Sequence, residues 1–151
     1  MDKAIFKLSH GMYVLTTKNG GCIVDAVCQI STGDKPLVSV AVMKTNNTNI
    51  LLKENDKACL SIIGENTDTE VIKVFGYHSM RDYNKFTYEK LQEVNGLYFL
   101  KDSIGYLILE KVNSFENDTH TVFIFKVVED KILNEDKELT YNNYRRIMLK
   151  K

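Results

Sequence analysis

Short apolar runs separated by turn-forming residues dominate the pattern along the chain. Met12 to Thr17 is rich in β-forming residues and stops at Asn19-Gly20, a dipeptide that favours a type I′ hairpin turn. Cys22 to Ile30 follows as a second strand. The run from Leu37 to Met43, LVSVAVM, is apolar at most positions, as a buried strand would be. ACLSII at residues 58–63 is predicted to be another strand.

Two segments between the strands carry helix signals. Residues 46–56, NNTNILLKEND, predict a short helix with Asn46 or Thr48 as N-cap and Asn55 near the C-terminus. A second helix is predicted from Asp68 to Phe75. Its signals are Thr67 and Glu70, which fit a capping box, and Gly76, which fits the residue that ends a helix.

The C-terminal third predicts a long β-hairpin. IGYLILEKV (104–112) and HTVFIFKVVE (120–129) are joined by NSFENDT, and both strands are apolar on both faces. Such strands are buried on both sides, as in a closed barrel or at a dimer interface. A short helix is expected after Phe86, and YRRIMLKK at the C-terminus is interpreted as a solvated tail. Many short strands with few helices predict one antiparallel barrel domain over residues 1–151.

Composition narrows the possible partners and the compartment. The 151 residues include 20 basic and 20 acidic side chains, and this balance argues against nucleic acid as the main partner. Three cysteines without a CxxC motif indicate free thiols in a reducing compartment. No apolar run reaches the length of a membrane span, and the N-terminus lacks the apolar region of a signal peptide. A cytoplasmic location is therefore predicted.

Three segments have residues suited to a ligand. VDAVCQIST (24–32) offers backbone amides and small side chains to the polar edge of a flat molecule, although an ordinary strand running into a turn reads the same way. Lys44, Asn46 and Thr48 stand at a strand-to-helix junction, where free N–H groups favour an anion. Plain N-capping is the alternative there.

The third segment is KVFGYHSMRDYNKF (73–86), which mixes donors with aromatic residues. Ser79, Arg81 and Lys85 can all donate to a phosphate, and Arg81 can do so bidentately. The alternative is an exposed loop in which Arg81 pairs with Asp82. The histidines have no spacing that predicts a metal site, so no metal is expected.

Taken in order, six segments resemble the flavin reductase-like FMN-binding family, nearest to flavoredoxin and to the flavin domain of high-molecular-weight rubredoxins. They are GMYVLTT, IVDAVCQIS, VAVMKTNNT, VFGYHSMRDYNKF, DTHTVFIFKV and LTYNNY, and they span nearly the whole chain. The resemblance implies a split, antiparallel, Greek-key β-barrel with a few short helices. It also implies a homodimer that binds FMN near the subunit interface.

The resemblance assigns roles to individual residues. His120 would stand where flavin and nicotinamide meet, as the catalytic residue. The residues that would line the ring system are Asp25, Ala26, Val27, Cys28, Gln29 and Ser31. Those near the ribityl chain and the phosphate are Lys44, Asn46, Thr48, Ser79, Arg81 and Lys85. Phe125 replaces a glycine that is common in the family, and its side chain is expected to narrow the space which that glycine leaves.

The implied activity is hydride transfer from NAD(P)H to FMN, with free flavin or a rubredoxin-like protein as the next electron acceptor. The cofactor carries out this chemistry, so no protein nucleophile is needed. The alternative is an FMN-containing electron-transfer protein without nicotinamide activity of its own.

Overall fold

A computed structural model describes residues 3–77 and 84–149 of the chain. Its described part contains short helices and nine strands. The helices are α1 (Asn47–Glu54), α2 (Glu70–Tyr77) and α3 (Tyr141–Leu149), with 3₁₀ turns at Ala4–Lys7 and Lys85–Thr87. The strands are β1 (Tyr13–Thr17), β2 (Gly20–Val24), β3 (Val27–Gln29), β4 (Leu37–Met43), β5 (Lys57–Ile62), β6 (Leu91–Val94), β7 (Leu97–Leu100), β8 (Gly105–Glu116) and β9 (His120–Ile132).

Seven of these strands form one curled antiparallel sheet in the order β2-β1-β5-β8-β9-β4-β3. The other two, β6 and β7, form a separate hairpin. Because β2 and β3 are the two ends of the large sheet and do not pair with each other, the barrel is split along this seam. The prediction of a mainly β, split antiparallel barrel with a few short helices is confirmed.

The core has three clusters, of which the two largest lie on opposite faces of the sheet and the third joins the β6–β7 hairpin to it. Alternation along β1 sends Leu15 to the inside of the barrel and Val14 to the outside. The inner cluster includes Phe123 and Phe125, whose ring centroids are 6.1 Å apart. The outer cluster, which includes Phe75 of α2, lies beneath α2 and α3. These two helices therefore cover one side of the outer surface, whereas Leu52 of α1 belongs to the inner cluster.

Three strand predictions need correction. Cys22–Ile30 is broken at residues 25–26, so it forms the end of β2 and then β3. Thr17 pairs with Gly20, so the turn residues are Lys18 and Asn19. Of these two only Asn19 has a positive φ (69°), and the predicted type I′ turn at Asn19-Gly20 is therefore wrong. The β8–β9 strands are longer than predicted, and residues 117–119 alone connect them.

The helix predictions succeed for α1 and fail partly for α2. The side chain of Asn46 caps α1, and Asn55 follows its last residue, as predicted. Gly76 does not end α2, which continues to Tyr77. The predicted capping box is also wrong, because the Thr67 hydroxyl accepts from Gly64 N–H (2.9 Å) and donates to Asp102 C=O (2.8 Å). The hydroxyl that the local sequence assigns to the helix cap therefore bonds to Gly64 and to the distant Asp102 instead.

The C-terminal segment and one hairpin also differ from expectation. The predicted solvated tail contains α3, and Tyr144 packs this helix against the outer cluster. The β6–β7 hairpin, which turns at Asn95-Gly96 with positive φ at both residues, was not predicted. The expected helix after Phe86 is a single 3₁₀ turn, and it begins earlier, at Lys85. No helix in the described ranges is both long and apolar enough to cross a membrane.

Candidate functional site

The short strand β3 exposes backbone groups along the barrel seam. Ala41 N–H donates to Ala26 C=O (3.0 Å) and Ile30 N–H donates to Leu37 C=O (2.9 Å), so the even-numbered residues of this segment bond to β4. In an antiparallel ladder the intervening residue points its N–H and C=O the other way. The backbone of Gln29 therefore faces the open edge, as the sequence predicts for a ligand-binding edge.

The side chains of this segment do not all face one way. Cys28 lies opposite Ser39 on the outer face and is exposed, whereas Val27 and Gln29 lie opposite Val40 and Val38 on the inner side. A flat ligand on one face of β3 can therefore contact only part of the predicted set.

Local hydrogen bonds hold the ends of this segment. Val27 N–H donates to Asp25 C=O (3.1 Å), which forms the bend between β2 and β3. The Ser31 hydroxyl accepts from Leu37 N–H (2.7 Å), and Gln29 Nε2 donates to Ser31 C=O (2.9 Å). The segment is thus a preformed edge.

At the junction of β4 and α1, the structure shows that Asn46 caps the helix, which was the alternative to a ligand-binding role. Asn46 Oδ1 accepts from Thr48 N–H at 2.9 Å. Lys44 lies at the rim of this junction, and its ammonium is 3.8 Å from a carboxylate oxygen of Glu116. Lys53 binds the same carboxylate and, as the main cause, lowers the pKa of Glu116. The charge of Lys44 is therefore partly balanced within the chain.

Lys85 is buried directly behind this junction. Only 4% of the residue is exposed, and its ammonium donates to Gly21 C=O (2.8 Å) and Phe75 C=O (3.1 Å) while lying 5.5 Å from the centre of the Phe75 ring. Burial lowers its pKa. Carbonyl oxygens carry no net charge, so these two bonds orient the ammonium without neutralising it. Lys85 thereby ties α2 to β2.

Cys22 connects Lys85 to the N-terminus of α1. Burial raises the pKa of this thiol to about 11, against smaller lowering effects of hydrogen bonds with Thr48 and Asn46 and of the Lys85 charge. The thiol is therefore protonated at neutral pH. Three residues predicted to lie near a phosphate, Asn46, Thr48 and Lys85, thus all influence the pKa of one buried thiol, and Cys22 itself was not predicted to belong to the site.

His120 begins β9 beside the same junction. It pairs with Met43, the last residue of β4, and its Nδ1 is 2.8 Å from the Thr119 hydroxyl. Lys44 N–H donates to Thr119 C=O (3.0 Å), so His120 and Lys44 lie on adjacent segments. The half-buried ring stands at the rim and not in the core.

Two predicted phosphate ligands, Ser79 and Arg81, lie outside the described residues, and their assignment stays a prediction. The side chain of Phe125 is fully buried inside the barrel, opposite Val38, where it is part of the core.

The comparisons with known proteins agree with this architecture. A family model described as "Flavin reductase like domain" matches residues 5–148. The chain belongs to this family. A curated relative, the high molecular weight rubredoxin of Moorella thermoacetica, is 30% identical over 96% of the chain and 66% of its own length. This flavin reductase-like domain therefore spans just under two-thirds of that relative.

Two further known proteins are similar to this chain. The ferric-chelate reductase (NAD(P)H) of Archaeoglobus fulgidus is 26% identical over 94% of the chain and 87% of its own length. The solved NADH:FAD oxidoreductase of Streptomyces globisporus C-1027 superposes with a TM-score of 0.80 at 16% identity, covering 88% of the chain and 81% of that protein. The second likeness is one of fold.

The residues present fit a flavin phosphate. The N-terminus of α1 carries the positive end of the helix dipole, and the ammonium of Lys85 lies behind it, so groups of the kind that bind a phosphate meet at this junction. Two members of the site, Cys22 and Glu116, were missed by sequence reasoning. No local motif marks them, because their partners are distant in sequence: pairing of β8, β9 and β4 brings Lys44 to Glu116, whereas the partners of Cys22 lie outside the strands.

Proposed function

We propose that this chain is an FMN-binding oxidoreductase that transfers hydride from NAD(P)H to flavin. The observation that carries the proposal is the family match over residues 5–148. The names of two similar proteins, an NAD(P)H-dependent ferric-chelate reductase and an NADH:FAD oxidoreductase, support nicotinamide as the electron donor.

The phosphate of FMN is proposed to bind at the N-terminus of α1. Lys44 at the rim would contact it directly, together with Ser79 and Arg81, which the family resemblance assigns to the phosphate. Asn46 and Thr48 would shape the site from behind, because the Asn46 side chain already caps Thr48 N–H. Lys85 would contribute through its charge. It would also hold α2 and β2 in position, since its ammonium donates to a carbonyl oxygen on each of them.

The ring system is proposed to lie along the seam at β3. The backbone of Gln29 would recognise the polar edge of the ring, and the segment from Asp25 to Ser31 would support it. When bound, the flavin supplies the hydride-accepting chemistry. His120 would orient the incoming nicotinamide at the rim, because its ring lies beside the β4–α1 junction.

We also propose that the protein is a homodimer. Met43, Phe115, Val122 and Ile124 share the outer face of β4, β8 and β9, and Met43 and Phe115 are 54% and 58% exposed. An apolar sheet face of this kind marks an interaction surface. Light scattering that gives only the monomer mass at micromolar concentrations would contradict this proposal. The free thiols support a cytoplasmic location.

A second candidate is an FMN-containing electron-transfer protein that a partner reduces. The name of the Moorella relative, a rubredoxin of which this domain covers 66%, favours this candidate. The two candidates share the flavin site and differ in whether nicotinamide reduces the flavin directly. A rubredoxin-like protein or free flavin is the proposed acceptor in both.

The flavin site is tested by titrating FMN and riboflavin into apoprotein. We expect Arg81→Ala to cost about 1.5–3 kcal/mol of FMN affinity, because a charge-assisted bond is lost. This corresponds to about a tenfold to hundredfold weaker Kd. Riboflavin, which lacks the phosphate, should bind both proteins alike.

Arg146→Ala, which removes an exposed arginine of α3, is the matched control and should leave both ligands unaffected. Equal FMN affinity of Arg81→Ala and the wild type would contradict the assignment of Arg81. Purified protein that is colourless and takes up no added FMN would contradict the proposed function itself.

A further inference from the structure

A cavity opens at the end of the barrel that lies away from α1. It has a volume of about 390 Å³, within the range of small-molecule sites. Its walls are the apolar side chains of Val38, Leu60, Leu107 and Val127, which come from four different strands and face the barrel interior. An apolar cavity of this size is a candidate binding site distinct from an exposed surface patch.

The seam of the barrel explains why the cavity exists. β3 has three residues and forms an end of the sheet, so no other strand in the described part of the chain pairs with its free edge. The inner wall is therefore incomplete where β3 stops. Gln29 and Pro36 border the opening.

The strand geometry separates this cavity from the proposed phosphate site. Val38 lies at the beginning of β4, whereas α1 starts beyond Met43 at the other end of the strand. Five residues of extended chain span about 17 Å. The cavity therefore lies away from the phosphate, although Val27 and Gln29, which line it, also belong to the segment proposed to support the flavin ring.

A carboxylate at the mouth determines which charge the cavity accepts. Asp130 lies opposite Leu107 in the β8–β9 ladder, so its side chain is on the cavity side of the sheet. A smaller cavity of about 260 Å³ adjoins the first at Pro36, Val127 and Asp130, and Asp34 and Glu129 also line it. Within residues 3–77 and 84–149, none of these three carboxylates forms an ion pair.

We propose that the barrel-end cavity binds a small organic cation: an amine with an apolar aliphatic or aromatic body. The apolar walls would bury the body, and the ammonium would remain at the mouth beside Asp130. An organic anion of the same shape would be disfavoured by the same carboxylate. Because Asp130 is exposed, the charge preference is modest and is largest at low ionic strength.

Three probes of one shape test the proposal: phenethylamine, 2-phenylethanol and 3-phenylpropionate. Their binding to the full chain is measured by protein-observed NMR at low salt, with and without saturating FMN. We expect the amine to bind best, the alcohol less well and the carboxylate least. Asp130→Asn should weaken amine binding about threefold to fivefold and leave the alcohol unchanged. Asp130→Lys should reverse the order of the amine and the carboxylate.

Two further variants locate the site. Leu107→Phe fills the cavity and should abolish binding of all three probes, with far-UV circular dichroism as the check on folding. Asp118→Asn removes an exposed carboxylate from the opposite end of the same hairpin and should change nothing. Because Asp130 is a surface residue, its variants remain informative even if Leu107→Phe does not fold.

Three results would overturn the proposal. The first is that none of the three probes binds at concentrations of about 10 mM, because a Kd above this value is too weak for a useful site. The second is amine binding that Asp130→Asn and Asp118→Asn weaken equally, which would show a non-specific charge effect. The third is competition by FMN, which would assign the cavity to the flavin site.

Discussion

The substitution Lys85→Met tests how the structure holds the flavin site together. It removes the ammonium but keeps most of the aliphatic stem, so the packing against Phe75 is largely retained. Gly21 C=O and Phe75 C=O then lose the ammonium as a hydrogen-bond donor. Leaving a buried acceptor unpaired costs about 1–3 kcal/mol. Removing the ammonium also removes the free-energy cost of burying its charge. This gain offsets part of the cost of leaving the two carbonyl oxygens unpaired. We expect a net loss of about 2–4 kcal/mol of unfolding free energy.

Urea unfolding of the apoprotein measures this loss. Lys101→Met, which replaces an exposed lysine in the turn after β7, is the matched control and should change stability by less than about 0.5 kcal/mol. A direct phosphate contact by Lys85, as the sequence alone suggests, would instead leave apoprotein stability unchanged and weaken FMN but not riboflavin. Lys85→Met that is as stable as the control would therefore refute the positioning role.

Three other outcomes are expected. Native protein should react with one equivalent of a thiol reagent, at the exposed Cys28. Cys22 and Cys59 should not react, because both are buried and their pKa values are raised to about 11 and about 12. Rapid labelling of more than one thiol would contradict their burial. His120→Ala should slow flavin reduction by nicotinamide far more than it weakens FMN binding, and an unchanged reduction rate would remove His120 from the site. Lys53→Met should raise the pKa of Glu116 toward its ordinary 4.5, as read by NMR titration, because their ion pair lowers it. This pair stabilises the fold above the ordinary pKa and its contribution is lost as the pH falls through the lowered one; an identical Glu116 titration in both proteins would show that the pair does not form.

Features with local causes could be predicted from sequence. The cap of α1 depends on Asn46 and the N–H of Thr48, two residues away, and the prediction is confirmed. The bounds of β4 follow from an apolar run between a proline and polar residues.

Features that depend on distant partners could not be predicted. Thr67 looks like a helix cap, but Asp102, which lies 35 residues away, accepts its hydroxyl hydrogen. The segment with α3 looks like a solvated tail because its own sequence is polar, and packing of Tyr144 against the outer cluster accompanies the helix.

The same distinction applies to the site. Strand pairing places His120 beside Lys44, and the resemblance anticipated that both would serve one ligand. The direction of the Lys85 side chain could not be anticipated, because its acceptor on Gly21 is 64 residues away. The resemblance therefore anticipated that Lys44 and His120 lie close together, but not that Lys85 is buried.

The most direct test of the account is anaerobic mixing of the FMN-loaded protein with NADH and, separately, with NADPH. If the chain is an NAD(P)H:flavin oxidoreductase, at least one nucleotide should bleach the flavin absorbance within seconds, and free FMN in excess should then be reduced catalytically. Bound flavin that dithionite reduces but neither nucleotide bleaches would contradict direct hydride transfer from nicotinamide.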